Sequence, residues 1–230
     1  MADHLEIEQK FDADQDFERP DFAAVTAGVT AAPPVVHRLS ATYFDTADGR
    51  LQAAKVTLRR RTGGSDAGWH LKLPAGGPLP GAAPLADGVS ARREVQEPLE
   101  CGGSDGAGAP VVPARLASRV AEVAGGLPLA PIAILVTERT VLTLTSADGT
   151  VLAEIADDQV TARRLPETAA EPLRWREIEV EVPVAVPQLQ QAVADRLLAA
   201  GARPAGHGSK LARLLSALSE RMINGFRGNS

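Results

Sequence analysis

Carboxylates stand at alternate positions in two segments near opposite ends of the chain. Glu6 and Glu8 lie in the first segment, and Glu177, Glu179 and Glu181 lie in the second. Both segments alternate apolar and charged residues, a period of two that predicts strands on which these acids share one face. Two such sets on neighbouring strands repel each other unless a cation lies among them, and Mg²⁺ and Mn²⁺ prefer an all-oxygen environment. The spacing therefore favours a divalent-metal site.

Basic residues occupy further polar positions, one of them in the first acidic segment and the rest in other segments. They are Lys10, Arg59, Arg61, Lys72, Arg92 and Arg139. The arginine guanidinium group offers a planar fork that matches two phosphate oxygens, so such a set facing one cavity would suit a polyanion. Two further acids, Glu154 and Asp158, share a face of one late segment, and Glu94 shares a face with Arg92. If these acids and bases face one cavity, the acids would suit a metal ion and the bases would suit phosphate. Together they would form a metal–polyphosphate site.

A solvated sheet face is the alternative interpretation of each charged segment. Taken alone, either acidic segment is more typical of the wet side of an antiparallel strand. The joint occurrence, in order, of several strands with complementary charge favours a binding site instead. The four histidines, His4, His37, His70 and His207, have no spacing typical of metal ligands, and we expect them on the surface or in loops.

Eight segments have the alternation and composition of strands. They span residues 4–11, 35–46, 55–62, 69–73, 90–99, 132–145, 150–164 and 174–182. The sequence Ala147-Asp148-Gly149 between two of them is typical of a hairpin turn. These segments follow one another in runs rather than alternating with helices. That order favours an antiparallel α+β or barrel arrangement over a doubly wound parallel sheet.

Helices are predicted in four other segments. One begins at Pro20 and carries Phe22, Val25 and Val29; the others span 113–124, 187–200 and a stretch capped by Ser209. Residues 74–89 are rich in Pro, Gly and Ala, which predicts a mobile loop. No repeat or linker divides the chain, so we expect a single domain over residues 1–220 and a flexible tail over 221–230.

Composition excludes several classes of protein. The net charge of −5 argues against a general nucleic-acid binder or a protein of anionic membrane surfaces. The single cysteine, Cys101, excludes an intramolecular disulfide framework and a multi-cysteine zinc site. No window approaches the roughly 18 apolar residues of a membrane-spanning helix, and no secretory signal is visible at the N-terminus. We therefore expect a cytoplasmic protein without a membrane partner, and its oligomeric state stays open.

Several motifs resemble, in order, those of the CYTH superfamily, the triphosphate tunnel metalloenzymes. The opening Glu6-Ile7-Glu8-Gln9-Lys10 is similar to the family's Glu-Xaa-Glu-Xaa-Lys signature. Further matches are Tyr43-Phe44-Asp45-Thr46, Leu58-Arg59-Arg60-Arg61, Leu71-Lys72-Leu73, Arg92-Arg93-Glu94, the run from Glu154 to Gln159, Glu177-Ile178-Glu179 and Ser209-Lys210. The resemblance extends over almost the whole chain.

The resemblance implies an α+β fold in which a closed eight-stranded antiparallel barrel encloses a charged tunnel and helices pack outside. It implies metal ligation by Glu6, Glu8, Glu94, Asp158, Glu177 and Glu179. It implies phosphate binding by Lys10, Arg59, Arg61, Lys72, Arg92, Arg139 and Lys210. Arg60 lies one step out of register and should face outward.

The activity that the resemblance implies is metal-dependent hydrolysis of inorganic triphosphate to phosphate and pyrophosphate. Two ions, Mg²⁺ or Mn²⁺, would take part, and Lys10 and Lys210 would be catalytic by assisting the leaving phosphate. Thiamine or nucleoside triphosphate hydrolysis and adenylate cyclisation are alternatives on the same fold. No aromatic patch suited to a base or a thiazolium ring is visible, which favours the bare inorganic substrate.

Two hypotheses of other classes stay open. One is a polyphosphate-binding module that turns nothing over; aligned acids would repel its ligand, so their presence favours an enzyme. The other is an unrelated β-protein with a solvated charged face.

Overall fold

The structure, a computed structural model, describes residues 2–23, 25–75, 89–166, 171–182 and 186–227. Its strands are β1 (Ala2–Ala13), β2 (Val29–Ala31), β3 (Val35–Asp45), β4 (Thr57–Thr62), β5 (Gly68–Pro74), β6 (Val89–Glu97), β7 (Gly103–Ser104), β8 (Pro110–Val111), β9 (Ala130–Ser146), β10 (Val151–Arg164), β11 (Leu173–Glu181) and β12 (Arg203–Pro204). Its α-helices are α1 (Arg50–Ala53), α2 (Ala114–Ala124), α3 (Pro187–Ala199) and α4 (Lys210–Arg227).

Eight strands form a closed antiparallel barrel. Their hydrogen-bonded order is β10, β11, β1, β6, β5, β4, β3 and β9, and β9 pairs with β10 to complete the ring. The short strand β2 pairs with β9, and the short strand β12 pairs with β1. Strands β7 and β8 form a separate pair. The predicted fold class is confirmed, and each of the eight predicted segments corresponds to one barrel strand.

Strand alternation divides each barrel strand into an inner charged face and an outer apolar face. On β1, Ile7 and Phe11 point outward into an apolar cluster with Leu189, Val193 and Leu197 of α3. A second outer cluster packs β4, β5 and β6 against α2, and Trp69 and Leu116 are fully buried in it. Burial of these outer faces fixes the register, so the intervening charged residues must face the interior.

Helix α4 differs from the expectation that all helices pack outside the barrel. Its residues Leu211 and Leu214 are buried against Leu135, Val160 and other residues that have the strand parity of the interior. Ser209 caps the helix, because its Oγ accepts a hydrogen bond of 3.1 Å from the amide of Ala212. The helix thus covers apolar interior positions and brings its first turn to the charged part of the barrel.

Two helical segments differ from the sequence predictions. The helix predicted from Pro20 is absent from the described residues there: turns precede β2, and Gly28 takes a left-handed φ of 78° that ends any helical run. Phe22 is nevertheless fully buried in the outer cluster with α3. Helix α4 continues to Arg227, into the stretch predicted as a tail, since no proline interrupts it. Residues 76–88 of the predicted loop and 228–230 of the tail lie outside the described residues.

None of the helices in the described ranges combines the length and apolar character needed to cross a lipid bilayer.

Candidate active site

The barrel encloses a cavity of about 220 Å³ whose lining is mostly charged. All the cations predicted to bind phosphate line it: Lys10, Arg59, Arg61, Lys72, Arg92, Arg139 and Lys210. Arg60, which strand alternation predicts to face outward, is not among its lining residues. Strand register therefore brings together basic residues from β1, β4, β5, β6 and β9 and the first residue of α4.

The predicted metal ligands divide into two groups. Glu6, Glu8, Glu94 and Glu179 line the cavity, whereas Asp158 and Glu177 lie behind its surface. The carboxylates of Asp158, Glu177 and Glu179 come within 4.8 Å of one another. They belong to adjacent strands, because Asp158 pairs with Glu177 between β10 and β11. An acidic cluster of this kind needs positive charge, and protein side chains supply it here.

Lys210 provides much of that charge. Its Nζ lies 2.8 Å from Asp158 Oδ2, 2.8 Å from Glu177 Oε1 and 2.9 Å from Glu179 Oε1. Burial alone would lower the pKa of Lys210, but these three carboxylates raise it well above its ordinary value. Arg139 adds a bidentate contact to Asp158, at 2.7 and 2.6 Å. The ammonium group thus supplies positive charge to a cluster of acids that could otherwise hold a metal ion.

The same interleaving of acids and bases continues along β1. Lys10 donates hydrogen bonds to Glu8, at 2.7 Å, and to Glu179. Lys72 reaches across from β5 and donates to Glu6 at 2.6 Å. Burial opposes the charge of Lys10, yet Glu179 and Glu8 raise its pKa, so this ammonium stays protonated at neutral pH. Acids and bases therefore alternate within the site and compensate one another's charge.

An acidic row crosses three neighbouring strands at one level of the barrel. In the register of the sheet, Glu181 of β11 pairs with Glu8 of β1 on one side and with Glu154 of β10 on the other. Adjacent strands lie about 4.8 Å apart, so these carboxylates repel one another. Burial, together with the charges of Glu6, Glu154 and Glu179, raises the pKa of Glu181 to about 7. We call Glu8, Glu181 and Glu154 the acidic row.

Two members of this row lie outside the predicted set of metal ligands. Glu154 and Glu181 both line the cavity, and both carry the strand parity of residues that were included. Alternation in the sequence predicts which strand face Glu154 and Glu181 occupy. It does not predict the register between β1, β10 and β11, which brings them level with Glu8.

Glu8 has one carboxylate oxygen with no partner. Its Oε1 is buried and receives no hydrogen bond from the described part of the chain, although Oε2 is bound by Lys10. Buried polar atoms in folded proteins nearly always have a partner, so such an atom requires an explanation. An oxygen of this kind, beside Glu181, fits a hard divalent cation such as Mg²⁺ or Mn²⁺. The donor set therefore suits the metal that the sequence implies.

Two arginines of β4 also have buried side-chain atoms without hydrogen-bond partners among the described residues. Within the described residues, the Nε atoms of Arg59 and Arg61 are buried without hydrogen-bond acceptors. Arg59 approaches the Tyr43 hydroxyl only at 3.5 Å, and Arg61 contacts Asp66. Burial and the neighbouring charges of Arg59 and Arg139 lower the pKa of Arg61 to about 9. Among the described residues, these two arginines thus keep hydrogen-bond donors without acceptors, which is the arrangement expected of a polyanion site.

Glu94 and His70 depart from their predicted surroundings. The resemblance implies that Glu94 is a metal ligand, but its Oε1 lies 2.7 Å from His70 Nδ1 and its Oε2 lies 4.0 Å from Lys72. His70, expected on the surface or in a loop, is 1% exposed and lies in the barrel wall on β5. One carboxylate oxygen is thus already occupied, and Glu94 lies beside cations that the sequence predicts to bind phosphate rather than in the acidic row.

Arg92 is held at the edge of the cavity by a backbone contact. Its Nη2 donates a hydrogen bond of 3.0 Å to the carbonyl oxygen of Lys55, whose backbone has a positive φ of 57°. The guanidinium group keeps other donors for a ligand, since a single nitrogen makes this contact.

Comparisons with known proteins bear on the family and the fold of this chain. The family model of the CYTH domain matches residues 4–213. Two curated relatives, uncharacterised proteins of Mycobacterium tuberculosis strains CDC 1551 and H37Rv, are each 39% identical over 95% of this chain. The chain spans 41% of the length of these relatives.

Solved structures share the fold at low sequence identity. A putative adenylate cyclase from Bacillus halodurans is 17% identical, with a TM-score of 0.56 over 93% of this chain and 98% of its own. A putative adenylyl cyclase from Hippeastrum, described as having a dominant triphosphatase activity, is 19% identical, with a TM-score of 0.50 over 92% of this chain and 96% of its own. The family model covers most of the chain, and the chain therefore belongs to the CYTH family.

Proposed function

We propose that this domain hydrolyses inorganic triphosphate in a reaction that depends on Mg²⁺ or Mn²⁺, releasing phosphate and pyrophosphate. The observation that carries the proposal is that an acid and two arginines lining the same cavity have buried polar atoms without hydrogen-bond partners among the described residues. Among the described residues, Glu8 Oε1 in the acidic row has no hydrogen-bond donor, and the Nε atoms of Arg59 and Arg61 have no acceptor. A divalent ion would supply the missing partner of Glu8, and a polyphosphate chain would supply the missing acceptors.

The acidic row and its neighbour Glu6 would hold the metal. Two ions bound to one polyphosphate chain would neutralise part of its charge and favour attack by water on the terminal phosphorus. To bind there, an ion must compete with Lys10 and Lys72 for carboxylate oxygens of Glu8 and Glu6. Lysines displaced from these acids would keep their charge and become available to phosphate oxygens.

The basic residues would bind the phosphate chain and stabilise negative charge as the bond breaks. Arg59 and Arg61 offer unused donors, and each charge-assisted hydrogen bond contributes roughly 1.5–3 kcal/mol. Lys10 and Lys210 would assist the leaving phosphate as fixed positive charges, because carboxylate neighbours hold the pKa of each above its ordinary value. Once metal and substrate are bound, these charges would already face the phosphate chain and would need no further reorganisation in the transition state.

The lining of the cavity favours a bare phosphate chain over an organic triphosphate. Apart from Tyr43, the residues known to line it offer no aromatic surface on which a base or a thiazolium ring could stack. The Hippeastrum neighbour, described as a putative cyclase with dominant triphosphatase activity, keeps adenylate cyclisation as the alternative on this fold. The proposal concerns this domain; the longer curated relatives extend beyond it.

A phosphate-release screen tests the proposal directly. Tripolyphosphate, thiamine triphosphate, ATP and long polyphosphate are each incubated with the purified protein and Mg²⁺ or Mn²⁺, and cyclic AMP is measured in the ATP samples. We expect fastest release from tripolyphosphate and none in EDTA. Cyclic AMP without phosphate release would assign a cyclase instead. Binding of polyphosphate with no turnover of any substrate would assign a binding module.

A further inference from the structure

The charged cavity follows the inner face of β4 from one end of this strand to the other. Thr57, Arg59 and Arg61 line it in that order. A strand rises about 3.3 Å per residue, so Thr57 and Arg61 lie roughly 13 Å apart. Thr57 therefore lies toward one end of the cavity and Arg61 toward the other, and the two ends can be compared.

An anionic side chain lies at the end that contains Arg61. Asp66 belongs to the turn between β4 and β5, lines the cavity, and contacts Nη2 of Arg61 through its carboxylate. The side chain of Asp66 is 44% exposed, whereas that of Arg61 is 5% exposed. The carboxylate therefore lies on the solvent side of the guanidinium group, at the mouth of the cavity.

The turn that carries this carboxylate packs closely against the backbone of two strands. A Cβ atom at Gly63 would come within 2.0 Å of the carbonyl oxygen of Arg38 in β3. A Cβ atom at Gly68 would come within 2.8 Å of the carbonyl oxygen of Glu97 in β6. Glycine permits such close approaches of one backbone to another because it has no side chain. Packing on both sides of the turn thus holds the carboxylate at the mouth.

A phosphate chain that extended past Arg61 would meet this carboxylate. Like charges in close contact repel each other, and near a protein surface they are screened less than in bulk water. The Nε atom of Arg61 has no acceptor among the described residues, whereas Asp66 contacts Nη2. A terminal phosphate could therefore bind Arg61 through Nε without displacing Asp66, but a further phosphate beyond it would be repelled.

The opposite end of the cavity leads into a second space. This second cavity has a volume of about 530 Å³ and shares Thr57, Arg92 and Ser209 with the first. Lys55 also lines it, and none of the described residues that do so is an acid. A phosphate chain that extended in this direction would meet cations and hydroxyl groups rather than a carboxylate.

We propose that Asp66 is a specificity-determining residue that closes one end of the cavity to phosphate. A linear polyphosphate longer than tripolyphosphate then binds with its terminal phosphate at Arg61, and its remaining phosphates extend past Arg92 into the second cavity, toward Lys55. This inference rests on the proposed function in taking polyphosphate as the ligand. It concerns binding alone, so it is tested without metal or turnover.

Substitution of Lys55 tests the direction in which the chain extends. Calorimetry in EDTA compares the affinities for tripolyphosphate and for long polyphosphate. Lys55→Gln should weaken binding of long polyphosphate about two- to fivefold, the effect of an exposed ion pair, and leave the affinity for tripolyphosphate unchanged. Arg38→Gln removes an exposed cation from the outer face of the barrel and should change neither affinity. Equal losses for both ligands in Lys55→Gln, or no loss for either, would contradict the proposed direction.

Substitution of Asp66 tests the closure of the other end. Asp66→Asn keeps an acceptor for Arg61 but removes the charge, so both ligands should bind about fivefold more tightly or better. A long chain can then extend past Arg61 as well, and adding Lys55→Gln should weaken its binding less than in the wild-type background. A merely structural role for Asp66 predicts weaker binding in Asp66→Asn, because Arg61 would lose its position. Full additivity of the two substitutions would also contradict closure.

Thermal unfolding checks that each variant is folded. Should Asp66→Asn not fold, Asp66→Ser also removes the charge and suits an exposed turn, and the comparison with Lys55→Gln does not depend on either. Binding with the expected effects, but without hydrolysis in Mg²⁺ or Mn²⁺, would reject the proposed function and support the inference. Hydrolysis of tripolyphosphate without these effects would do the reverse. A wild-type protein that binds no long polyphosphate would overturn the inference whether or not it hydrolyses tripolyphosphate.

Discussion

The ammonium group of Lys210 lies 2.8 Å from the carboxylate of Asp158, which has no exposed surface. Lys210 is the first residue of α4, whereas Asp158 lies in the middle of β10. The contact therefore joins the start of the last helix to the barrel interior. The same ammonium also contacts Glu177 and Glu179, so one lysine compensates a cluster of three acids.

Removal of this charge should destabilise the metal-free protein. In Lys210→Met, the buried acids lose a main partner, and breaking such a buried pair costs about 3–5 kcal/mol. We expect the free energy of unfolding, measured by urea denaturation in EDTA, to fall by that amount. Lys55→Met changes an exposed lysine and should alter it by less than about 0.5 kcal/mol. Equal losses in the two variants would show that Lys210 does not stabilise the cluster.

Strand parity leads to a prediction for neighbouring arginines. Arg59→Ala should weaken tripolyphosphate binding at least about tenfold, because it removes a donor that faces the cavity. Arg60→Ala is the matched control, and it should change the affinity little, since Arg60 does not line the cavity. Calorimetry in EDTA measures both affinities. Similar losses from the two substitutions would show that both arginines reach the ligand.

Glu181 gives the protein a defined pH dependence of stability. Burial and the charges of Glu6 and Glu154 raise its pKa to about 7 from an ordinary value of 4.5. Between these values the unfolded chain has lost the proton and the folded protein has kept it. The folded state therefore loses stability as the pH rises through this window, and the loss levels off above about pH 7.

Glu181→Gln should remove that loss. We expect the variant to be more stable than the wild type at pH 8 by roughly 2–3 kcal/mol, with the difference shrinking toward pH 4.5. Unfolding in EDTA at several pH values measures the effect. Glu138→Gln, on an exposed outer position of β9, should show no such trend. A constant difference at all pH values would mean that Glu181 titrates normally.

The fold and much of the cavity lining could be predicted because they depend on local patterns. Alternation in residues 4–11 and 55–62 separates Glu8 from Ile7 and Arg59 from Arg60, and the structure keeps both separations. A period of two needs no knowledge of partner strands. The resemblance added the closure of eight antiparallel strands into a barrel with charged residues inside.

The contacts within the cavity could not be predicted, since they depend on register between distant strands. The pairing of Lys72 with Glu6 joins residues 66 positions apart, and that of Lys210 with Asp158 needs the placement of α4. His70 was expected at the surface because its spacing carries no signal; only the turn at Asp66 and the neighbouring Glu94 explain its burial.

Metal dependence separates the enzyme from a passive binding module. In the wild type, EDTA should abolish phosphate release from tripolyphosphate, and Mg²⁺ or Mn²⁺ should restore it. Glu8→Gln preserves the shape of the acidic row but removes the charge beside its unpartnered oxygen, so turnover should fall sharply while the barrel stays folded. Glu138→Gln is the control on the outer surface and should retain full turnover.

Binding by the same variant without metal completes the test. Because Glu8→Gln removes a negative charge that faces the polyanion, its affinity for tripolyphosphate in EDTA should hold steady or rise. A passive binder predicts the same change in affinity but has no turnover to lose. An enzyme of the proposed kind predicts opposite responses, with tighter or equal binding and slower hydrolysis. If Glu8→Gln turned over tripolyphosphate as fast as the wild type, the acidic row would not be the metal site.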